Sequence, residues 1–338
     1  MVLLITGGAG YIGSICVEEL LRQGHEVIVV DNLQEGHREA VPTESTFYEG
    51  NFGDRALLEA ILSRHAIDGV IHFAADTRVE SSMIDPGQFF NNNVANGIIL
   101  LDVMREFGCN RMIFSSTAAI YGEPQYNPVD ENHPKMPVNP YGESKRMFEK
   151  ILDWYHRAHG LKFNALRYFN AAGASDILGD AKRNVSLLIP VAIQVLLGQR
   201  ERLQIFGNDY PTKDGTCIRD YIHVLDLAGA HIQALKNLDK HPDGKYNLGN
   251  GQGFSNLEVV KTMEIVTGEK VPFEFAPRRP GDPATLVASS ELAHKELGWY
   301  PQFTKLEEII ASAWEWHRHH PNGYKYSLLK KKLKTPLF

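Results

Sequence analysis

Along the first half of the chain, apolar residues come in short unbroken runs rather than in alternation with polar ones. Residues 2–6, 25–30, 69–74, 111–115 and 163–168 are such runs. Between them, residues 14–23, 54–65, 92–107 and 141–159 carry helical patterns, three of them followed by Gly24, Gly108 and Gly160. Glycine after a helix suits the left-handed residue that closes it. Strands alternating with helices predict an α/β fold with a mostly parallel sheet covered on both faces. Strands without in–out alternation predict burial on both sides.

From about Ala171 the rhythm breaks, and Gly, Asp and Asn become frequent. The pattern predicts a first domain over 1–170 and a smaller second domain over 171–338. A helical stretch ending near Leu238 is expected to return to the first, so the return segment lies near 216–240. The tail, 327–338, carries four lysines and a proline. It reads as a solvated terminus, with a partner-binding helix as the alternative.

Composition narrows the class. The chain has 338 residues, which fits two joined domains of roughly 100–200 residues each. A formal net charge of −6 offers no basic face for nucleic acid. No apolar run nears the ~20 residues of a membrane span. The apolar start at 1–6 lacks the basic flank and long core of a signal peptide. Cys16, Cys109 and Cys217 are few and far apart, which points away from a disulfide framework or a Cys-based zinc site and toward a reducing, cytoplasmic setting.

The first apolar run leads into Gly7-Gly8-Ala9-Gly10-Tyr11-Ile12-Gly13 and then a helix. Such a turn needs residues tolerant of positive φ. The middle glycine leaves room for a pyrophosphate, the last lets helix and strand pack closely, and the helix N-terminus offers free N–H groups. An acid ends the next strand: Asp31 lies 18 residues beyond Gly13, placed to accept from an adenosine ribose. A carboxylate there repels a 2′-phosphate, which favours NAD over NADP. The plain alternative is a structural glycine turn.

Tyr141 and Lys145 stand four apart at the start of a helix and so share a face. A lysine ammonium beside a tyrosine hydroxyl favours the phenolate and lowers a pKa that starts near ~10. The pair then suits general-base work. A second Tyr-x-x-x-Lys, Tyr326 to Lys330, lacks this context and reads as chance. Ser115, Ser116 and Thr117 end a strand, at the end where parallel sheets hold ligands. The Thr117 hydroxyl is placed to hold a substrate oxygen in line with Tyr141, or to cap the following turn.

Taken together these residues resemble the extended short-chain dehydrogenase/reductase family, and within it the enzymes that invert C4 of a UDP-bound hexose. The likeness includes TGGAGYIGS at 6–14, VDNL at 30–33, HFAA at 72–75, NNV at 92–94, FSSTAAIYG at 114–122, NPYGESK at 139–145 and LRYFNAAGA at 166–174. In the second domain it includes IFGNDYPTKDGTCIRDYIHVLDLA at 205–228, YNLGNG at 246–251 and APRRPGDPATLVA at 276–288. The resemblance implies a Rossmann-type doubly wound parallel sheet with a smaller C-terminal α/β substrate domain. It also implies NAD as cofactor and interconversion of UDP-glucose and UDP-galactose through a 4-keto intermediate.

By the same resemblance, Gly7, Gly10, Tyr11, Ile12, Gly13, Asp31, Asn32, Asn51, Phe52, Phe73, Ala74, Ala75, Asn92, Ser115, Tyr141, Lys145, Tyr168 and Phe169 surround NAD. Asn170, Leu188, Gln204, Ile205, Phe206, Arg219, Arg279 and Asp282, with Thr117, contact the UDP-sugar. Guanidinium forks at Arg219 and Arg279 suit a diphosphate; the alternative is an ion pair at the surface. Phe206 is expected against uracil or in the core. A homodimer through 92–107 and 141–159 is implied by analogy.

Four departures from the family pattern stand out: Thr77 where a Lys often follows the third strand, Asn51 for a common Asp, Leu187 for Asn or His, and a shortened loop at 173–184. Leu286 falls where a Tyr in some members narrows the hexose pocket, so N-acetylated UDP-sugars remain open. Ala118 and Ala119 stand where sugar-nucleotide dehydratases and decarboxylases carry acids. A non-catalytic NAD-sensing regulator typically lacks Tyr or Lys of the pair, and both are present. His317, His319 and His320 suggest a metal, but neighbouring Trp314 and Trp316 suggest a helix with one packed face.

Overall fold

The structure, a computed structural model, describes residues 1–183, 185–279 and 281–326. The lysine-rich tail at 327–338 lies outside the described residues.

The apolar runs of the first half form β1 (Val2–Thr6), β2 (Glu26–Asp31), β4 (Gly69–His72), β5 (Arg111–Thr117) and β6 (Lys162–Tyr168), with β3 (Thr46–Glu49) between β2 and β4. Three strands follow, β7 (Asn170–Ala172), β8 (Leu203–Phe206) and β9 (Ile218–His223), and then β10 (Asp243–Leu248) re-enters the first sheet. That sheet has seven strands in the order β10-β6-β5-β4-β1-β2-β3. Every pairing in it is parallel. Beyond β1 the chain winds one way through β2 and β3, and from β4 the other way. The crevice between the C-terminal ends of β1 and β4 is therefore a topological switch point, where such sheets hold ligands.

Both faces are covered. The helices Tyr11–Arg22 and Val224–Asn237 close one core with Leu3, Ile5, Val27 and Val29. The helices Arg55–Arg64, Asn96–Glu106 and Pro140–His159 close the other with Leu4, Ile28, Val70 and Met112. Adjacent residues of one strand thus feed opposite cores, which is why these strands read as unbroken apolar runs.

Two strands of this seven-stranded sheet escape the sequence pattern. β3 is a half-exposed edge strand with little apolar signal. β10 begins with Asp243, Gly244 and Lys245 and holds a fully buried Asn247, so it reads as a loop. The first helix begins at Tyr11 rather than at residue 14, because Gly13 belongs to it: a Cβ there would lie 2.2 Å from Gly7 O. Ahead of the Asn96–Glu106 helix, residues Asn91–Ala95 form a π turn rather than regular α-helix.

The second half builds a sheet centred on β9, which pairs with β7 and with β11 (Gly253–Ser255), and a two-stranded sheet of β8 and β12 (Phe273–Ala276). The short β13 (Thr285–Leu286) also joins β9. The helices Leu188–Leu196, Asn256–Thr267 and Leu306–His319 enclose a separate core behind them.

Candidate active site

A cavity of about 330 Å³ lies over the switch point. Gly7 has φ of +75°, and a Cβ on it would meet Ala74 N at 2.5 Å. The helix that begins at Tyr11 has no side-chain cap and no acid in its first turn. Its N-terminal amides are left for an anion. Asp31 lines the same cavity. Its two carboxylate oxygens accept from Ala9 N at 3.0 Å and Leu33 N at 2.9 Å, which fixes the carboxylate. Burial pushes its pKa up, and those two amides and His37 work against burial. A cradle without side chains, open amides and a fixed ribose acceptor fit a dinucleotide.

Of the residues expected around the cofactor, all line this cavity except Lys145. Lys145 sits behind the wall, fully buried, and its Nζ donates to Ser115 O at 2.8 Å. It also lies 4.8 Å from the centre of the Phe114 ring. Burial pushes its pKa down to about 7, and Glu149 opposes this. Tyr141 differs from the expectation of a phenol acidified by its lysine: burial pushes its pKa up, and the Thr117 hydroxyl is the group that opposes it. With Lys145 turned to a carbonyl and held near neutrality, desolvation of Tyr141 wins. Thr117 takes the capping role, its Oγ1 accepting from Ala119 N at 3.1 Å, and also stands on the cavity wall.

Behind this set runs a buried polar chain. Glu149 accepts from Ser116 at 2.6 Å and from Arg167 at 2.9 and 2.6 Å. Arg167 donates on to Tyr121 at 3.0 Å, and Tyr121 to Asn247 at 2.6 Å. Asn93 holds the other flank: it accepts from Asp76 N at 2.8 Å, and donates to Asp76 O at 2.9 Å and Ser144 Oγ at 3.0 Å. Sequence reasoning stopped at Asn92, on the wall, and missed Asn93 beneath it. A run of three asparagines has no periodicity to say which one faces inward.

A second cavity, about 740 Å³, opens in the other half of the molecule and shares Tyr11, Asn170, Ala171 and Leu187 with the first as walls. Asn170, Leu188, Gln204, Phe206, Arg219, Arg279 and Asp282 all line it. Ile205 does not. It is fully buried in the second-half core, because strand alternation turns it away from Gln204 and Phe206. Phe206 stands on the wall and not in the core, with the Arg279 guanidinium 3.8 Å above its ring. Arg219 donates to Pro283 O at 2.7 Å and lies 3.3 Å from Asp282, so it is both ion-paired and cavity-lining. Arg279 is 3.9 Å from Glu80, which comes from the first half of the chain. Asp220 anchors this wall. It accepts from Asn250, Ala288 and Gly251 amides at 2.7, 3.1 and 3.0 Å, and burial pushes its pKa up to about 7.

The departures have definite places. Thr77 lines the first cavity, and Arg78 beside it turns to Glu35 at 3.4 Å instead of replacing the missing lysine. Asn51 accepts from Gly53 N at 2.7 Å. His320 stacks on Trp316 at 4.7 Å, and His319 bonds back to Glu315 O at 2.8 Å. Both side chains are therefore spent on their own helix. His317 lines the second cavity.

The chain is similar to known proteins over nearly its whole length. The NAD dependent epimerase/dehydratase family matches residues 3–249. UDP-glucose 4-epimerase of Halalkalibacterium halodurans is 52% identical over 327 residues, spanning 96% of this chain and 98% of its own. A crystal structure of a UDP-glucose 4-epimerase superposes with a TM-score of 0.93 at 49% identity, covering 96% of this chain and 100% of that one. The Bifidobacterium longum UDP-glucose 4-epimerase, in complex with NAD+ and UDP, superposes with a TM-score of 0.91 at 38% identity, covering 96% and 100%.

Proposed function

The chain belongs to the NAD dependent epimerase/dehydratase family, and on that premise we propose that it is an NAD-dependent isomerase interconverting UDP-glucose and UDP-galactose. The observation that carries this reading is the pair of cavities sharing a wall at Tyr11, Asn170, Ala171 and Leu187. Tyr141 and Thr117 lie on the cofactor side of that wall, and Arg219 and Arg279 on the other.

When bound, NAD+ would supply the hydride acceptor for C4 of the hexose and the hydride donor for its opposite face. Tyr141 accepts the proton of the 4-hydroxyl and later gives it back, while Thr117 aligns that oxygen. Ser115 and Tyr168, hydrogen-bonded to each other, form the floor beside them. Lys145 holds the strand end through Ser115 O and supplies positive charge when protonated. Arg219, Arg279 and the uncapped N-terminus of the Leu188–Leu196 helix grip the diphosphate. That N-terminus offsets the donor lost at Leu187. Binding energy spent on UDP leaves the hexose free to turn while the 4-keto sugar stays in place. Asp282 takes the ribose, and Gln204 and Phe206 the uracil, with Ile205 supporting them from the core. Ala118 and Ala119 offer no acid for expelling the C6 hydroxyl, which separates this site from a dehydratase.

Residues 1–170, with the return near 216–240 continued into β10, hold NAD, and 171–338 hold the UDP-sugar. Two copies pair through 92–107 and the Pro140–His159 helix, whose Met147 and Trp154 are exposed. No helix among the described residues is long and apolar enough to cross a membrane. The three free thiols suit the cytoplasm, and the role is in galactose metabolism.

Incubation with UDP-galactose and, separately, with UDP-N-acetylgalactosamine tests the reading. UDP-glucose as product is expected from the first. Conversion of the second as well would show that Leu286 leaves room for an acetamido group. No conversion of either, with NAD bound, would overturn the reading.

A further inference from the structure

The segment from Gly173 to Arg183 crosses from the substrate half onto the cofactor half and is fastened there. Tyr11 Oη donates to Gly173 O at 2.6 Å, and Ser175 Oγ donates to Glu18 at 2.8 Å. His37 Nε2 lies 2.7 Å from Ala181 O, while Tyr324 Oη, from the segment's own half, donates to Gly179 O at 3.0 Å. At its end, Lys182 reaches the wall of the cofactor cavity, with its Nζ 5.7 Å from the centre of the Tyr11 ring. Tyr11 is the first residue of the uncapped helix.

Charge makes this position informative. Among the described residues that line the cavity, Asp31, Glu35 and Asp76 are acidic and Lys182 is the one cation. A dinucleotide brings two pyrophosphate charges into that acidic setting. The helix N-terminus contributes only about half a positive charge. Asp180 aims the lysine: its Oδ1 accepts from Lys182 N at 3.2 Å, and its Oδ2 lies 3.7 Å from Nζ. Asp180 is itself buried and lines the substrate cavity.

We propose that Lys182 is a cofactor-retaining residue, whose ammonium closes over the glycine turn and pairs with the pyrophosphate of NAD. This rests on the dinucleotide reading of the cavity. Because Lys182 rides on a segment of the substrate half, release of the cofactor requires that segment to lift. An enzyme that regenerates its NAD in every turnover gains from such a clasp.

The test compares NAD content and NAD dissociation half-life in the full chain and in K182M, K182R and K182E, at about 50 mM and about 500 mM salt. About tenfold faster loss is expected from K182M, more from K182E, and near-parental retention from K182R. The parent is expected to lose NAD faster at high salt, and K182M to lose that sensitivity. Equal half-lives and equal salt responses in all four proteins would overturn the proposal. So would a larger fall in NADP affinity than in NAD affinity, which places the cation at the ribose. A parent that binds no NAD at all would instead sink the dinucleotide reading itself.

Discussion

The cofactor cleft and the substrate cavity share a wall but are built from different materials. The cofactor cleft is shaped by backbone: a turn with no room for side chains at Gly7 and Gly13, open amides, and a carboxylate pinned by two more amides. The substrate cavity is shaped by long side chains that hold one another, Arg219 with Asp282 and Arg279 with Phe206 and Glu80. Backbone geometry is rigid before the ligand arrives. Ion pairs at a cavity wall, such as the exposed Arg279 with Glu80, can be exchanged for a stronger anion. The first arrangement suits a cofactor that stays, the second a substrate that comes and goes.

The largest effect is expected where the two cavities meet. Tyr141→Phe should lower kcat by about 10²–10⁴ while NAD content stays parental, read by turnover and by cofactor released on denaturation. A variant that keeps its kcat would place the base elsewhere. Next is Gly13→Ala. Its Cβ would lie 2.2 Å from Gly7 O, a backbone atom that cannot give way. About a hundredfold weaker NAD binding is expected by calorimetry. Retained NAD would mean the turn is softer than the comparison holds.

Arg219→Met should act on the other side alone, raising the UDP-sugar KM by about tenfold to a hundredfold without loss of NAD. Loss of NAD from this variant would show that the two halves are not separable. The smallest effect is on Tyr141 ionisation. Burial places its pKa above the usual 10, so in NAD-free protein its phenolate absorbance should appear only at higher pH. A bound nicotinamide cation favours the phenolate and should move that ionisation to lower pH. Difference spectra against Tyr141→Phe read the shift, and an upward movement would reverse the assigned cause.

The same contrast explains what was legible in the chain. Glycines at 7, 10 and 13, Asp31, Tyr141 and Lys145 can be read from short windows, because each motif is a local piece of backbone geometry. β3 and β10 were not legible. One is a short, half-exposed edge, and the other opens with three turn-forming or charged residues and buries an asparagine. Asn93, Glu149 and Arg167 brace Ser144 and Ser116 through partners far away in sequence, and no spacing announces them.

By itself the sequence determined the alternation of buried strands and helices, the place of the glycine turn and the one-turn spacing of Tyr141 and Lys145. Those follow from periodicity and from local conformational preference, which act over a few residues. Only the tertiary structure decided that Lys145 faces a carbonyl, that Ile205 turns into the core, that Phe206 carries Arg279, and that Lys182 reaches the other half's cofactor cleft. Burial and charge pairing are set by neighbours brought together from distant parts of the chain, and they exist only once the chain has folded.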